Sequence, residues 1–187
     1  MSQQYRIEES GICLVLEVSD EGAVYLLHCQ RTPFQEKQIA PGQKEWYRLV
    51  EIQAAGEDQD DHHGGKYTGT LPGKRLVFES LTDSRTERGR CIVVTQKDPE
   101  GGLLVRSCLQ FIGNTGVLES WTEVENMGKE EVGLTYVSSF CLNGLTKASS
   151  LPWDQAARLM VPSNSWYGEF QWKTWSLPEL GVYKVFY

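Results

Sequence analysis

Cys91-Ile92-Val93-Val94-Thr95, the turn Asp98-Pro99-Glu100-Gly101-Gly102, an apolar-rich run over 103–112, the turn Gly113-Asn114-Thr115-Gly116 and a run over 117–125 follow one another in the middle of the chain. β-Branched and aromatic residues at strand length, broken by Gly, Pro, Asn and Asp, read as strands and tight turns. Loops this short join antiparallel neighbours rather than crossover-connected strands. Working outward, Leu14-Val15-Leu16-Glu17-Val18, Ala23-Val24-Tyr25-Leu26-Leu27 and Arg75-Leu76-Val77-Phe78-Glu79 repeat the pattern on one side. On the other side Glu125-Asn126-Met127-Gly128 leads into a long strand expected over 132–142. Such a meander must close on itself or fold into two packed sheets. The only helical suggestion is Pro152-Trp153-Asp154-Gln155-Ala156-Ala157-Arg158-Leu159, one or two turns long. The expected fold is an all-β, antiparallel two-sheet β-sandwich with at most one short helix. It is expected as a single domain over 1–187, since no internal repeat or Pro/Ser linker divides the chain.

Composition narrows the function. With 40% hydrophobic and 23% charged residues among 187, the chain has enough apolar matter for a core. A formal net charge of -7 argues against a surface built to track phosphates, so no nucleic acid partner is expected. The first ten residues are polar and carry both charges, which does not fit a secretory leader, and no run is long and apolar enough for a membrane span. Cys13, Cys29, Cys91, Cys108 and Cys141 are an odd, scattered set that fits neither a disulfide framework nor a zinc knuckle, so reduced thiols and a cytoplasmic location are expected.

Two segments do not read as hairpins, over 53–73 and 161–180. The first holds Asp58, Asp60, Asp61, His62, His63 and Lys66 among glycines. Carboxylates and imidazoles are metal ligands, yet adjacent histidines point oppositely on an extended chain, and the register of a calcium loop is missing. No metal and no cofactor is expected. A loop that contacts a ligand or another subunit is the functional reading, and a solvated acidic loop the plain one. The second segment carries Trp166, Trp172 and Trp175, with Tyr167 and Phe170 between them. Read as a strand, it has apolar residues on both faces, as expected of an edge buried between sheets or against another domain, or of rings that stack on sugars. Trp46 and Trp121 read as half-buried strand residues.

Catalysis within the chain has little support. His28 and Cys29 are neighbours that would face oppositely on a strand, and no Gly-x-Ser-x-Gly elbow occurs. Carboxylate pairs such as Glu57 with Asp61, or Asp60 with Glu169, suit glycoside chemistry, but sequence does not fix their spacing. No catalytic residue is assigned.

At the irregular segments the sequence resembles a known family. Gly56-Glu57-Asp58-Gln59-Asp60-Asp61-His62-His63-Gly64-Gly65-Lys66-Tyr67-Thr68-Gly69-Thr70 is similar to a signature of bacterial α-galactosidases of glycoside hydrolase family 36. So are Ser120-Trp121-Thr122-Glu123-Val124, Val132-Gly133-Leu134-Thr135-Tyr136-Val137-Ser138-Ser139-Phe140, Asn164-Ser165-Trp166-Tyr167-Gly168-Glu169 and Leu177-Pro178-Glu179-Leu180-Gly181, in the same order. The resemblance implies the amino-terminal β-supersandwich of a retaining enzyme acting on terminal α-galactosides such as melibiose and raffinose. Its two catalytic aspartates would lie on a barrel absent from this chain. It further implies packing on that barrel, a homo-oligomeric parent, and a loop over 58–66 reaching the active-site mouth. In that loop Asp60 and Asp61 would accept hydrogen bonds from sugar hydroxyls, His62 and His63 would fix the loop or an interface, and Trp166 would anchor the domain to the barrel. A freestanding carbohydrate-binding β-sandwich is the alternative. No membrane partner is expected.

Overall fold

The computed structural model describes residues 2–35, 39, 43–57, 68–145 and 149–182, and the chain divides into two compact units, Met1–Asn143 and Gly144–Tyr187. Among the described residues the first unit contains three antiparallel sheets. Strands β1 (Gln3–Glu9), β2 (Ile12–Val18) and β3 (Val24–Gln30) form one, in chain order. Strands β5 (Val77–Thr86), β6 (Gly89–Lys97), β7 (Leu103–Phe111) and β8 (Leu118–Asn126) form the second, also in chain order. Strands β4 (Ile52–Ala54) and β9 (Leu134–Val137) form the third. The meander read from the middle of the sequence is the four-stranded sheet. The turn joining β1 to β2 shows how local chemistry sets register: Ser10 and Gly11 have φ of 52° and 79°, the doubly positive pair that closes a two-residue hairpin, and Glu9 lies opposite Ile12.

Period-2 burial makes the sandwich. Ile12, Leu14, Leu16 and Val18 enter one cluster with Val24 and Leu26 of β3 and with Ile92, Val94, Leu109 and Phe111 of the four-stranded sheet. Two sheets that share one core are a sandwich. The other face of β2 is covered too: Cys13 and Val15 pack with Leu27 and Tyr47, the latter from the 3₁₀ turn Lys44–Tyr47. All seven positions of β2 are therefore buried. Glu17 is tolerated there because its carboxylate accepts from Lys44 Nζ at 2.7 Å and Gln4 Nε2 at 2.8 Å. At the far end of the four-stranded sheet Val50, Ile52, Leu76, Leu103 and Val105 form a second cluster, flanked by Val137 of β9. Each fully buried aliphatic or phenyl side chain contributes about 1.5–3 kcal/mol.

The all-β antiparallel reading holds, with three departures in detail. Where one short helix was allowed, the described residues hold two, α1 (Leu71–Arg75) and α2 (Trp153–Ala156). The second is the turn expected near Trp153; the first forms because Thr70 Oγ1 accepts from the Gly73 amide and Pro72 fits the first helical turn. The long strand expected over 132–142 is only the four residues of β9. Beyond Val137 the chain leaves the ladder: the Ser138 amide donates to the Glu51 carbonyl, and the hydroxyls of Thr122 and Ser120 donate to the carbonyls of Ser138 and Ser139. The third departure is in the second unit.

There, β10 (Arg158–Ser165) and β11 (Gly168–Ser176) form a hairpin across the segment that did not read as one. Ser165 lies opposite Gly168, and the register shifts between Ser163 and Ser165. Asn164 Oδ1 accepts from the Phe170 amide at 2.8 Å, replacing a ladder bond lost at the bulge. Tyr167 and Phe170 have φ of 59° and 52°, a left-handed conformation that costs an L side chain about 1–2 kcal/mol.

Candidate functional site

The loop residues singled out from the sequence, Asp58, Asp60, Asp61, His62, His63 and Lys66, lie outside the described residues. What the structure defines is the residues on either side of that segment, a stem whose two ends are both tied to charged groups.

On the far side of the segment, Glu51 is almost completely buried between Val50 and β4. Its carboxylate accepts from the Gly69 amide at 3.0 Å, the Thr70 amide at 3.1 Å and Thr70 Oγ1 at 2.7 Å. Three donors, two of them backbone amides, compensate the desolvation of one carboxylate. Thr70 is thereby fixed as the cap of α1, and Gly73 is required beside it, because a Cβ there would lie 2.5 Å from Thr70 Oγ1 and 2.8 Å from Glu51 Oε2.

On the near side, Arg75 at the end of α1 reaches two carboxylates. It pairs with Asp98 in a bidentate fork, Nη2 to Oδ2 at 2.7 Å and Nε to Oδ1 at 3.0 Å, and with Glu57, whose Oε1 is 3.1 Å from Nη2 and whose Oε2 meets Nη1. Glu100 is a looser neighbour at 3.9 Å. The Asp98 side chain is wholly buried, while those of Arg75 and Glu57 are partly open. Burial pushes the Asp98 carboxyl up, but the Arg75 guanidinium and the amides of Gly101 and Glu100 outweigh it and hold the group below the usual carboxylate range. Arg75 is held further above its already high value, first by Asp98 and then by Glu57. The turn over 98–102, which looks like a plain connection in sequence, supplies the buried anion of this clamp.

Residue 57 and residues 69–70, the two ends of the stem, are thus each held by hydrogen bonds to charged groups. Trp46 stands beside Gly69, its ring 3.7 Å from where a Cβ would be. The cleft bounded by Glu45, Trp46, Thr68, Gly69 and Lys74 is about 30 Å³, whereas ligand pockets run from about 300 Å³. These described residues alone do not enclose a sugar ring.

In the second unit Trp166 and Tyr167 project from the hairpin turn at 88% and 90% exposure, edge to face with centroids 5.6 Å apart. Trp172 is 58% exposed and Trp175 is half-buried. The three tryptophans are not brought together by strand geometry: Trp172 lies opposite Pro162 and Trp175 opposite Leu159, on opposite faces of the hairpin.

The remaining candidates are His28 and the cysteines. His28 and Cys29 face oppositely, as expected, with His28 opposite Val15 and Cys29 opposite Leu14. His28 is buried with Nε2 2.6 Å from the Thr32 carbonyl. Burial and then Cys13 push the Cys29 thiol up to about 11, and burial, Glu123 and Cys91 push Cys108 to about 11, so neither is a thiolate near neutral pH. All five cysteines are free. Among the described residues no group of three or more His, Cys, Asp and Glu is placed to hold a metal ion, and no helix is long and apolar enough to cross a membrane.

Sequence reasoning missed Glu51, Thr70, Arg75 and Asp98. Thr70-Leu71-Pro72 carried a capping signal, but the pairing of Arg75 with Asp98 bridges 23 positions and leaves no local trace. Comparison of the chain with protein-family models, curated proteins and solved structures gave no match.

Proposed function

We propose that this chain is the non-catalytic amino-terminal domain of a cytoplasmic α-galactosidase of the glycoside hydrolase family 36 type. In this reading it packs on a catalytic barrel, supports a homo-oligomer, and lends the segment over 58–66 to an active-site mouth. The observation that carries it is the stem: buried Glu51 holds residues 69–70, and Arg75, paired with buried Asp98, holds Glu57, so charged groups fix the residues on either side of the hydrophilic sequence over 58–67. Buried charge is expensive, and using it to hold the base of a polar loop makes physical sense when the loop has something outside the domain to meet. The motif order quoted above supports the same assignment, and the antiparallel sandwich is the architecture that the resemblance implies.

In this reading hydrolysis belongs to aspartates of the barrel. The protein translated from the native transcript is expected to release nitrophenol from a nitrophenyl α-galactoside and to lose that activity when residues 1–187 are deleted. The isolated chain is expected to release none. Hydrolysis by the isolated chain, or none by the native product, would overturn the assignment. A second reading, a freestanding carbohydrate-binding sandwich, is favoured by the open rings of Trp166, Tyr167 and Trp172. Calorimetric titration of the isolated chain with melibiose separates the two, since saturable heat supports the binding module and its absence the enzyme domain.

A further inference from the structure

We propose that Asn143 is a spontaneous deamidation site whose conversion loosens the Lys44–Tyr47 turn beside the stem. The sequence has four asparagines, and only Asn143 is followed by glycine. Asn114, Asn126 and Asn164 precede Thr115, Met127 and Ser165, whose side chains crowd the approach of the following amide to the asparagine carbonyl.

The structure strengthens that contrast. The Met127 amide, which would attack Asn126, donates to the Gly102 carbonyl at 2.8 Å, and the Thr115 amide after Asn114 donates to the Ile112 carbonyl at 3.1 Å. Asn164 sits in β10 with Oδ1 held by the Phe170 amide. Residues 143 and 144 lie in no helix or strand, Gly144 has φ of 72°, and its amide makes no hydrogen bond with the described residues. The nucleophile is therefore unencumbered, and the glycine backbone has the freedom that ring closure needs.

In the reaction the Gly144 nitrogen attacks Asn143 Cγ. A Cγ–N bond forms, the Cγ–Nδ2 bond breaks, and Nδ2 leaves as ammonia with the proton from the Gly144 amide. Water then adds to either carbonyl of the succinimide, giving aspartate or isoaspartate, a net exchange of amide for acid with no redox partner.

The consequence follows from one contact. Asn143 Nδ2 donates to the Trp46 carbonyl at 2.6 Å and ties residue 143 to the Lys44–Tyr47 turn. A carboxylate at that position has no proton to give and would face the carbonyl with like charge, so the tether is lost once the amide is lost. The turn bears Trp46, the residue beside Gly69, so the event changes the support of the stem.

The test is timed incubation of the full chain at mildly alkaline pH, followed by proteolysis and mass spectrometry. The peptide bearing Asn143 is expected to gain the amide-to-acid mass several-fold faster than those bearing Asn114, Asn126 and Asn164. Asn143→Gln should abolish that gain and Gly144→Ala slow it several-fold. Modification at Asn143 no faster than at the other three would overturn the site. Hydrogen exchange reads the consequence: amides of the Lys44–Tyr47 turn should exchange faster in Asn143→Asp than in wild type, and equal rates would overturn the tether.

Discussion

Replacing Arg75 by methionine keeps most of the aliphatic stem and removes the guanidinium, leaving Asp98 as a wholly buried carboxylate with backbone amides as its remaining partners. Breaking a buried pair from one side costs about 3–5 kcal/mol, and the lower end applies because the Arg75 side chain is itself 21% exposed and those amides remain. The part-exposed Glu57 adds little. A loss of about 3 kcal/mol in a chain this size lowers Tm by about 6–12 °C. The pH dependence carries the sharper test. In the wild type Asp98 titrates below its unfolded value, so its contribution is complete above about pH 4 and is lost as pH falls through the folded value. Without Arg75, burial dominates and raises the group, so its charged form destabilises the variant at neutral pH and protonation relieves the cost. The gap in stability between wild type and Arg75→Met should therefore shrink as pH falls from neutral toward about 4. Urea titrations at a series of pH values measure it. A gap under about 1 kcal/mol, or one independent of pH, would refute the account of the clamp as a buried ion pair.

Three further outcomes are expected. Thr70→Val keeps the shape but removes both the cap of α1 and the hydroxyl bond to Glu51, and should cost about 1–2 kcal/mol in urea unfolding. Gly89→Ala should destabilise more than Gly11→Ala, since φ is positive at both but the new Cβ at 89 would collide with the Phe111 carbonyl oxygen, while nothing lies within 4 Å at 11; comparison of the two melting curves decides it. With Cys29 and Cys108 near 11, a thiolate-selective reagent should modify them slowly at neutral pH and faster as pH rises toward that value, and denaturant should remove the difference; rapid labelling of the native chain at neutral pH would contradict it.

How far the sequence speaks depends on what kind of fact is asked of it. The four-stranded meander was legible because its turns carry Gly, Asn and Pro at tight spacing and its strands alternate, so local chemistry and tertiary burial agree. At β2 the run Ile12-Cys13-Leu14-Val15-Leu16 is continuously apolar, and the covering turn at Lys44–Tyr47 shows what its second buried face meets. The β10–β11 hairpin was not legible, because every residue of β10 is exposed and no period marks it. Its Pro162 is tolerated in a two-stranded ribbon, where Pro in a central strand would argue against pairing. At the stem the candidate residues of the loop were visible as composition, whereas Glu51, Arg75 and Asp98 act through contacts between distant segments. Charge identity is written in the sequence, but charge proximity is a property of the fold.

The order of strands in the four-stranded sheet also bears on how the chain acquires its structure. β5 through β8 are neighbours both in sequence and in space, so each pairing closes a short loop and can form early at small entropic cost. β4 can meet β9 only by closing a loop that contains that entire sheet. The Ile52 end of the core should therefore condense late, after the meander has given it a surface to dock on. Weakening Ile52 or Val137 should then speed unfolding while leaving the refolding rate nearly unchanged, the kinetic mark of contacts made after the transition state.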